Sequence, residues 1–181
     1  MGNNTSAAEG KPVLVALDLS ERSSSCIAQG CELAAKFGRP LILVHVVHEA
    51  GETTGMYRSH HKARDTLPLR DIAKEMLEEQ LAAFRAGENG SDFSCDIRLV
   101  VVEGVPETRL IELAEHFDAS MIVMRSHNRS GLRRWLYGSV TESVVRRAPC
   151  PVVVVGNHET PFVPLTVHRP RVGSPPAAQG A

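Results

Sequence analysis

Val13-Leu14-Val15-Ala16-Leu17, followed at once by Asp18-Leu19-Ser20, is the stretch that decides the fold. Five apolar residues without polar alternation form a strand buried on both faces, and such strands belong to parallel sheets covered by helices on each side. The abrupt change to Asp18-Leu19-Ser20 marks a tight turn, and Ser20 is placed to cap a helix whose apolar positions Ile27, Cys31 and Ala34 recur at helical spacing. Gly38-Arg39-Pro40 stops that helix, and Leu41 to Val47 repeats the buried-strand pattern.

The alternation continues outward. Periodicity is lost between His48 and Thr66, which reads as a mobile loop. From Leu67 to about Glu88 the residues Leu69, Ile72, Ala73, Met76, Leu77, Leu81 and Phe84 fall at steps of three and four, one stripe of an amphipathic helix. Cys95 to Val102 is a third strand. Pro106 suits the first position of a third helix, and Glu107 is favourable against its dipole. Ala119 to Met124 is a strand, Ser139 to Ala148 a helix and Pro151 to Val155 a last strand. The order β-α-β-α-β-α-β-α-β predicts an α/β fold, a parallel sheet with helices on both faces.

The 181 residues accommodate one domain of ordinary size plus tails. Residues 1–10 read as a disordered N-terminal tail, 11–156 as the domain, and 157–181, rich in Pro and Gly, as a disordered C-terminal tail. With 20 Lys and Arg against 21 Asp and Glu, the chain is no globally basic nucleic-acid binder. Cys26, Cys31, Cys95 and Cys150 lack disulfide or zinc spacing and read as small core residues in a reducing compartment. Met1 to Gly10 lacks the basic and apolar regions of an export signal, and every apolar run falls far short of the ~18 residues that span a bilayer. The expected location is the cytoplasm, without membrane insertion.

In an open α/β sheet, ligands bind beyond the carboxyl ends of the strands where strand order reverses. That rule gathers Asp18, Val46, Gly104 and the segment from Arg125 around one crevice. Ser139-Val140-Thr141-Glu142 reads as a capping box. Gly138 together with the amides of the first helical turn also suits a phosphate, and the two readings are compatible. Around this helix entrance stand Arg125, Arg129, Arg133, Arg134, Arg146 and Arg147 against the single acid Glu142, a local positive excess that suits an anion. Arg146 and Arg147 fit the helix C-terminus without any ligand. Asp18 either caps the first helix or accepts hydrogen bonds from a ribose or an adenine amino group. No P-loop, dinucleotide fingerprint, metal spacing or nucleophile constellation occurs, so the sequence predicts no efficient enzyme and no metal.

Val13-Leu14-Val15-Ala16-Leu17-Asp18-Leu19-Ser20, Leu43-Val44-His45-Val46, Val102-Glu103-Gly104-Val105-Pro106, Met121-Ile122-Val123-Met124 and the run from Gly138-Ser139-Val140-Thr141-Glu142 to Pro149-Cys150-Pro151 together resemble the universal stress protein A family over about residues 11–156. The resemblance implies an open, twisted, Rossmann-like sheet of five parallel strands in the order 3-2-1-4-5. It also implies ATP as ligand, with nucleotide contacts at Asp18, Val46, Met124, Asn128, Arg129, Gly138, Ser139 and Val140. ATP-binding members carry Gly-x-x-Gly, nine residues, then Gly-[Ser/Thr]. Here the closing Gly138-Ser139 matches, while the first two glycines are replaced by Arg125 and Asn128. Of these, Asn adopts positive φ more readily than most residues.

The expected function is therefore a stress-response sensor or regulator that holds an adenine nucleotide and hydrolyses it slowly at most. The alternative is a non-nucleotide-binding interaction module. By the strand order, Val152-Val153-Val154-Val155 is an edge strand with no Lys or internal Pro to discourage pairing, which predicts a homodimer through an antiparallel copy of itself.

Overall fold

The computed structural model describes residues 10–20, 22–48, 68–87, 96–125 and 138–156. The tails expected at either end, the loop after His48, and the segments 88–95 and 126–137 fall outside the described residues. The elements in chain order are β1 (Val13–Ala16), α1 (Ser23–Phe37), β2 (Leu41–Val47), α2 (Leu69–Ala86), β3 (Ile97–Glu103), α3 (Pro106–His116), β4 (Met121–Arg125), α4 (Ser139–Arg147) and β5 (Val152–Val155). All four strand pairings are parallel, and the sheet order is β3-β2-β1-β4-β5. This is the Rossmann-like arrangement expected from the sequence.

Strand alternation divides the core in two. Val13, Val15, Leu41, Leu43 and Val123 project to one side, where Ile27 and Cys31 of α1 and Met76 and Leu77 of α2 cover them. Leu14, Ile42, Val44, Ile122 and Val152 project to the other, against Leu110 and Ala114 of α3 and Val144 of α4. Val13, Leu14, Val15, Leu41, Leu43 and Val44 are almost wholly removed from solvent, each worth about 1.5–3 kcal/mol relative to exposure. Continuous apolar strands arise because both faces must be buried.

Two helix starts differ from expectation. Helix α1 begins at Ser23 with Arg22 as N-cap, and no side chain caps it. Ser20 is not the cap: its carbonyl accepts the Ser23 amide at 3.0 Å in a turn that precedes the helix, and its hydroxyl donates to Asp18 Oδ1 at 2.8 Å. That turn, organised on the Asp18 carboxylate, puts the N-cap at Arg22, beyond Ser20. Helix α4 takes Gly138 as its N-cap, again without a side-chain cap, so Ser139 is the first helical residue. The capping box therefore does not form, because Ser139 and Glu142 are each one position too far into the helix for it. Glu142 instead pairs with Arg146 one turn on, Oε1 to Nη2 3.1 Å.

At the far end of α1, Gly38 adopts φ 59°, the left-handed conformation that closes a helix, and the amides of Gly38 and Arg39 return to Ala35 and Ala34.

Candidate functional site

Strand order reverses between β1 and β4, and the register sets Ala16 level with both Val44 and Met124. The carboxyl ends of these three strands therefore lie side by side at the switch point. The loop 17–20 leaves β1, with the Leu17 amide still bonded to Val44 O at 2.8 Å. Asp18 lies in this loop, and its Oδ1 accepts the Ser20 amide (3.0 Å), the Ser20 hydroxyl (2.8 Å) and the Ser23 hydroxyl (3.1 Å). These bonds organise the turn that leads into α1 without making Asp18 its cap, since Arg22 is the N-cap and no side chain caps the helix.

Across the crevice stands the start of α4. Its first helical bond runs from the Glu142 amide to Gly138 O. The amides of Ser139, Val140 and Thr141 precede that bond, so the helix itself uses none of them, and they carry the positive end of its dipole. Gly138 has φ −54° and ψ 155°, a conformation open to any residue, so no backbone requirement calls for glycine here. Thr141 is buried, and its hydroxyl donates to the carbonyl of Arg125 at 3.3 Å, tying the first turn of α4 to the end of β4.

Val46 and Met124 are buried in the core on the α3 and α4 side, and Val140 packs against that core. Asn128 and Arg129 lie outside the described residues, as do Arg133 and Arg134. Arg125 is half-buried. It continues the alternation of β4, in which Val123 faces α1 and Met124 faces α4, so its side chain belongs to the α1 side and does not lie across the start of α4. Its charge is felt there. Burial pushes the Cys26 thiol up to about 12, Asp18 adds to the rise, and Arg125 opposes it.

Three further residues belong to this region. His45 is buried, and its Nδ1 lies 2.8 Å from Leu17 O. Burial lowers its pKa from the usual histidine range, opposed by the Leu17 carbonyl and by Asp18. Gln80 of α2 donates from Nε2 to Ser20 O at 3.1 Å. Thr141 is the third. The signal for His45 was a lone polar residue in an otherwise apolar strand, and for Gln80 a polar residue three and four positions from Leu77 and Met76 in the buried stripe.

A groove of about 480 Å³ lies elsewhere, along β3, lined by Arg70, Val102, Glu103, Arg109, Leu113 and His116 among others. Its Arg109 is committed to Glu103 O and to Glu112, both at 2.8 Å. Among the described residues no group of His, Cys, Asp or Glu is arranged to hold a metal ion, and no helix is long and apolar enough to cross a membrane.

An open parallel sheet whose strand order reverses between β1 and β4 defines an α/β domain of the Rossmann-like class. The model of the universal stress protein family matches residues 10–156, and the chain belongs to that family. Universal stress protein MJ0531 of Methanocaldococcus jannaschii is 37% identical over 87 residues, 47% of this chain and 51% of that protein. The chain spans about half the length of this and the next curated relatives it matches. Among solved structures, the universal stress protein from Archaeoglobus fulgidus in complex with dAMP matches at TM-score 0.55 and 24% identity, covering 80% of this chain and 97% of that one. A universal stress protein in complex with cAMP matches at TM-score 0.54 and 23% identity, covering 82% and 98%. At these identities the structures share the fold with this chain.

Proposed function

We propose that the chain is a cytoplasmic regulatory module that binds an adenine nucleotide, ATP, across the carboxyl ends of the strands. The adenine lies near Asp18 and Val46, and the phosphates lie over Gly138, Ser139 and the first turn of α4. The observation that carries this reading is the start of α4: three amides that the helix leaves unused behind a glycine N-cap, with no side-chain cap among the described residues. Family membership and the dAMP and cAMP complexes of its structural neighbours support the adenine nucleotide. The side of β4 taken by Arg125 supports it too, since strand alternation turns that side chain towards α1 rather than α4.

The module holds its ligand rather than consuming it. No general base stands beside the start of α4 among the described residues, so hydrolysis is slow. Turnover above about one per second, the low end of ordinary enzyme rates, would overturn this. Mass spectrometry of small molecules released from freshly purified protein tests the ligand: an adenine nucleotide is expected. Its absence, with partner binding preserved after Ser139→Ala and Asp18→Ala, favours the interaction-module reading, which the replacement of two motif glycines by Arg125 and Asn128 supports. The module is also proposed to be a homodimer through β5, whose outer edge has no neighbouring strand among the described residues.

A further inference from the structure

Leu19 has φ 57°, a left-handed conformation that is uncommon for a bulky side chain, and it is buried. Such a backbone persists only where its surroundings fix it. Around loop 17–20 those surroundings come from three elements. His45 of β2 lies against the Leu17 carbonyl, and that acceptor requires the proton on Nδ1. Gln80 of α2 donates to the Ser20 carbonyl. Ser23 of α1 donates to Asp18. The carbonyls on either side of Asp18 are thus each held by a side chain from another element.

We infer that His45 and Gln80 are positioning residues of the ligand site: acting through the carbonyls of Leu17 and Ser20, they hold the loop after β1, and with it Asp18, in the one conformation that meets the base of a bound nucleotide. The inference rests on the nucleotide reading and adds residues that act on the base end without touching the ligand. Loosening the loop spreads Asp18 over several positions, and binding must then reorder it. The cost falls on the base alone, so it is the same with or without phosphates.

The test measures the affinity of the whole chain for adenosine and for ATP at a temperature where every variant is folded. His45→Leu and Gln80→Met are expected to weaken both ligands by the same factor, roughly tenfold. His45→Asn, whose side-chain amide is able to donate to Leu17 O, is expected to recover most of the loss. Unchanged affinity in folded Gln80→Met or His45→Leu overturns the inference. So does a loss confined to ATP, or an equal loss in His45→Asn and His45→Leu. Wild-type protein that binds neither ligand overturns the nucleotide reading itself, and the inference with it.

Discussion

Gly30 lies in the middle of α1 at its closest approach to β1, and a Cβ built on it falls 2.4 Å from Val15 Cγ2 and 3.4 Å from Leu41 Cδ1. Helix propensity alone favours Gly30→Ala by about 1 kcal/mol. The contact opposes it: no real Cβ sits at 2.4 Å, and Val15 has nowhere to go. It is wholly buried in the central strand, bonded to β2 and β4 on either side, and its branched side chain has few rotamers. Overpacking of this kind costs about 1–3 kcal/mol, and so tight an overlap belongs at or above the upper end of that range. The net expectation is a loss of about 2 kcal/mol, a fall in Tm of roughly 4–8 °C for a domain of this size. Thermal and urea unfolding measure it. Val15→Ala relieves the clash, so the double variant is expected to be less destabilised than the sum of the two singles. A neutral or stabilising Gly30→Ala, or strict additivity, would refute the claim that α1 is seated directly on β1 and so fixes the span of loop 17–20.

Because burial lowers the pKa of His45, the unfolded chain binds its proton first as the pH falls. The stability that His45 contributes is present above about pH 6.5, the unfolded value, and is lost as the pH falls through the depressed folded value. Urea midpoints are expected to decline more steeply on acidification in wild type than in His45→Asn, and parallel curves would contradict this. Cys26 and Cys150, both buried and with thiols raised to about 12 and about 11, are expected to resist iodoacetamide at pH 8 until the protein unfolds; native-state labelling detected by mass spectrometry would contradict it. For the proposed dimer, light scattering of wild type at micromolar concentration is expected to give twice 19.7 kDa, and Val154→Pro, which removes one ladder amide, to give the monomer. Monomeric wild type would refute pairing through β5.

What was legible in the sequence was the part of the fold set by burial. The runs at 13–17 and 41–47 could not be exposed on either face, and the stripe Ile72, Ala73, Met76, Leu77, Leu81, Phe84 is buried as its spacing requires. The boundaries came within about two residues for the same reason. What stayed hidden was where each helix starts. Ser20 and Ser139 have the composition of caps, but a turn organised on Asp18 leaves the first ahead of the helix, and with Gly138 as N-cap the second is already inside it. The contacts that fix loop 17–20 join residues 28 and 60 positions apart, which no local pattern records. The role of Arg125 turned on which face of β4 it takes, and that follows only once Val123 and Met124 are assigned to their cores.

Isothermal titration of the whole purified chain with ATP tests the central claim most directly. The account predicts saturable binding of one nucleotide per chain, weakened by adenosine as competitor and by adding a side chain at the α4 entrance, Gly138→Val. Absence of binding at millimolar ATP, in wild type and equally in Arg125→Gly, would contradict it.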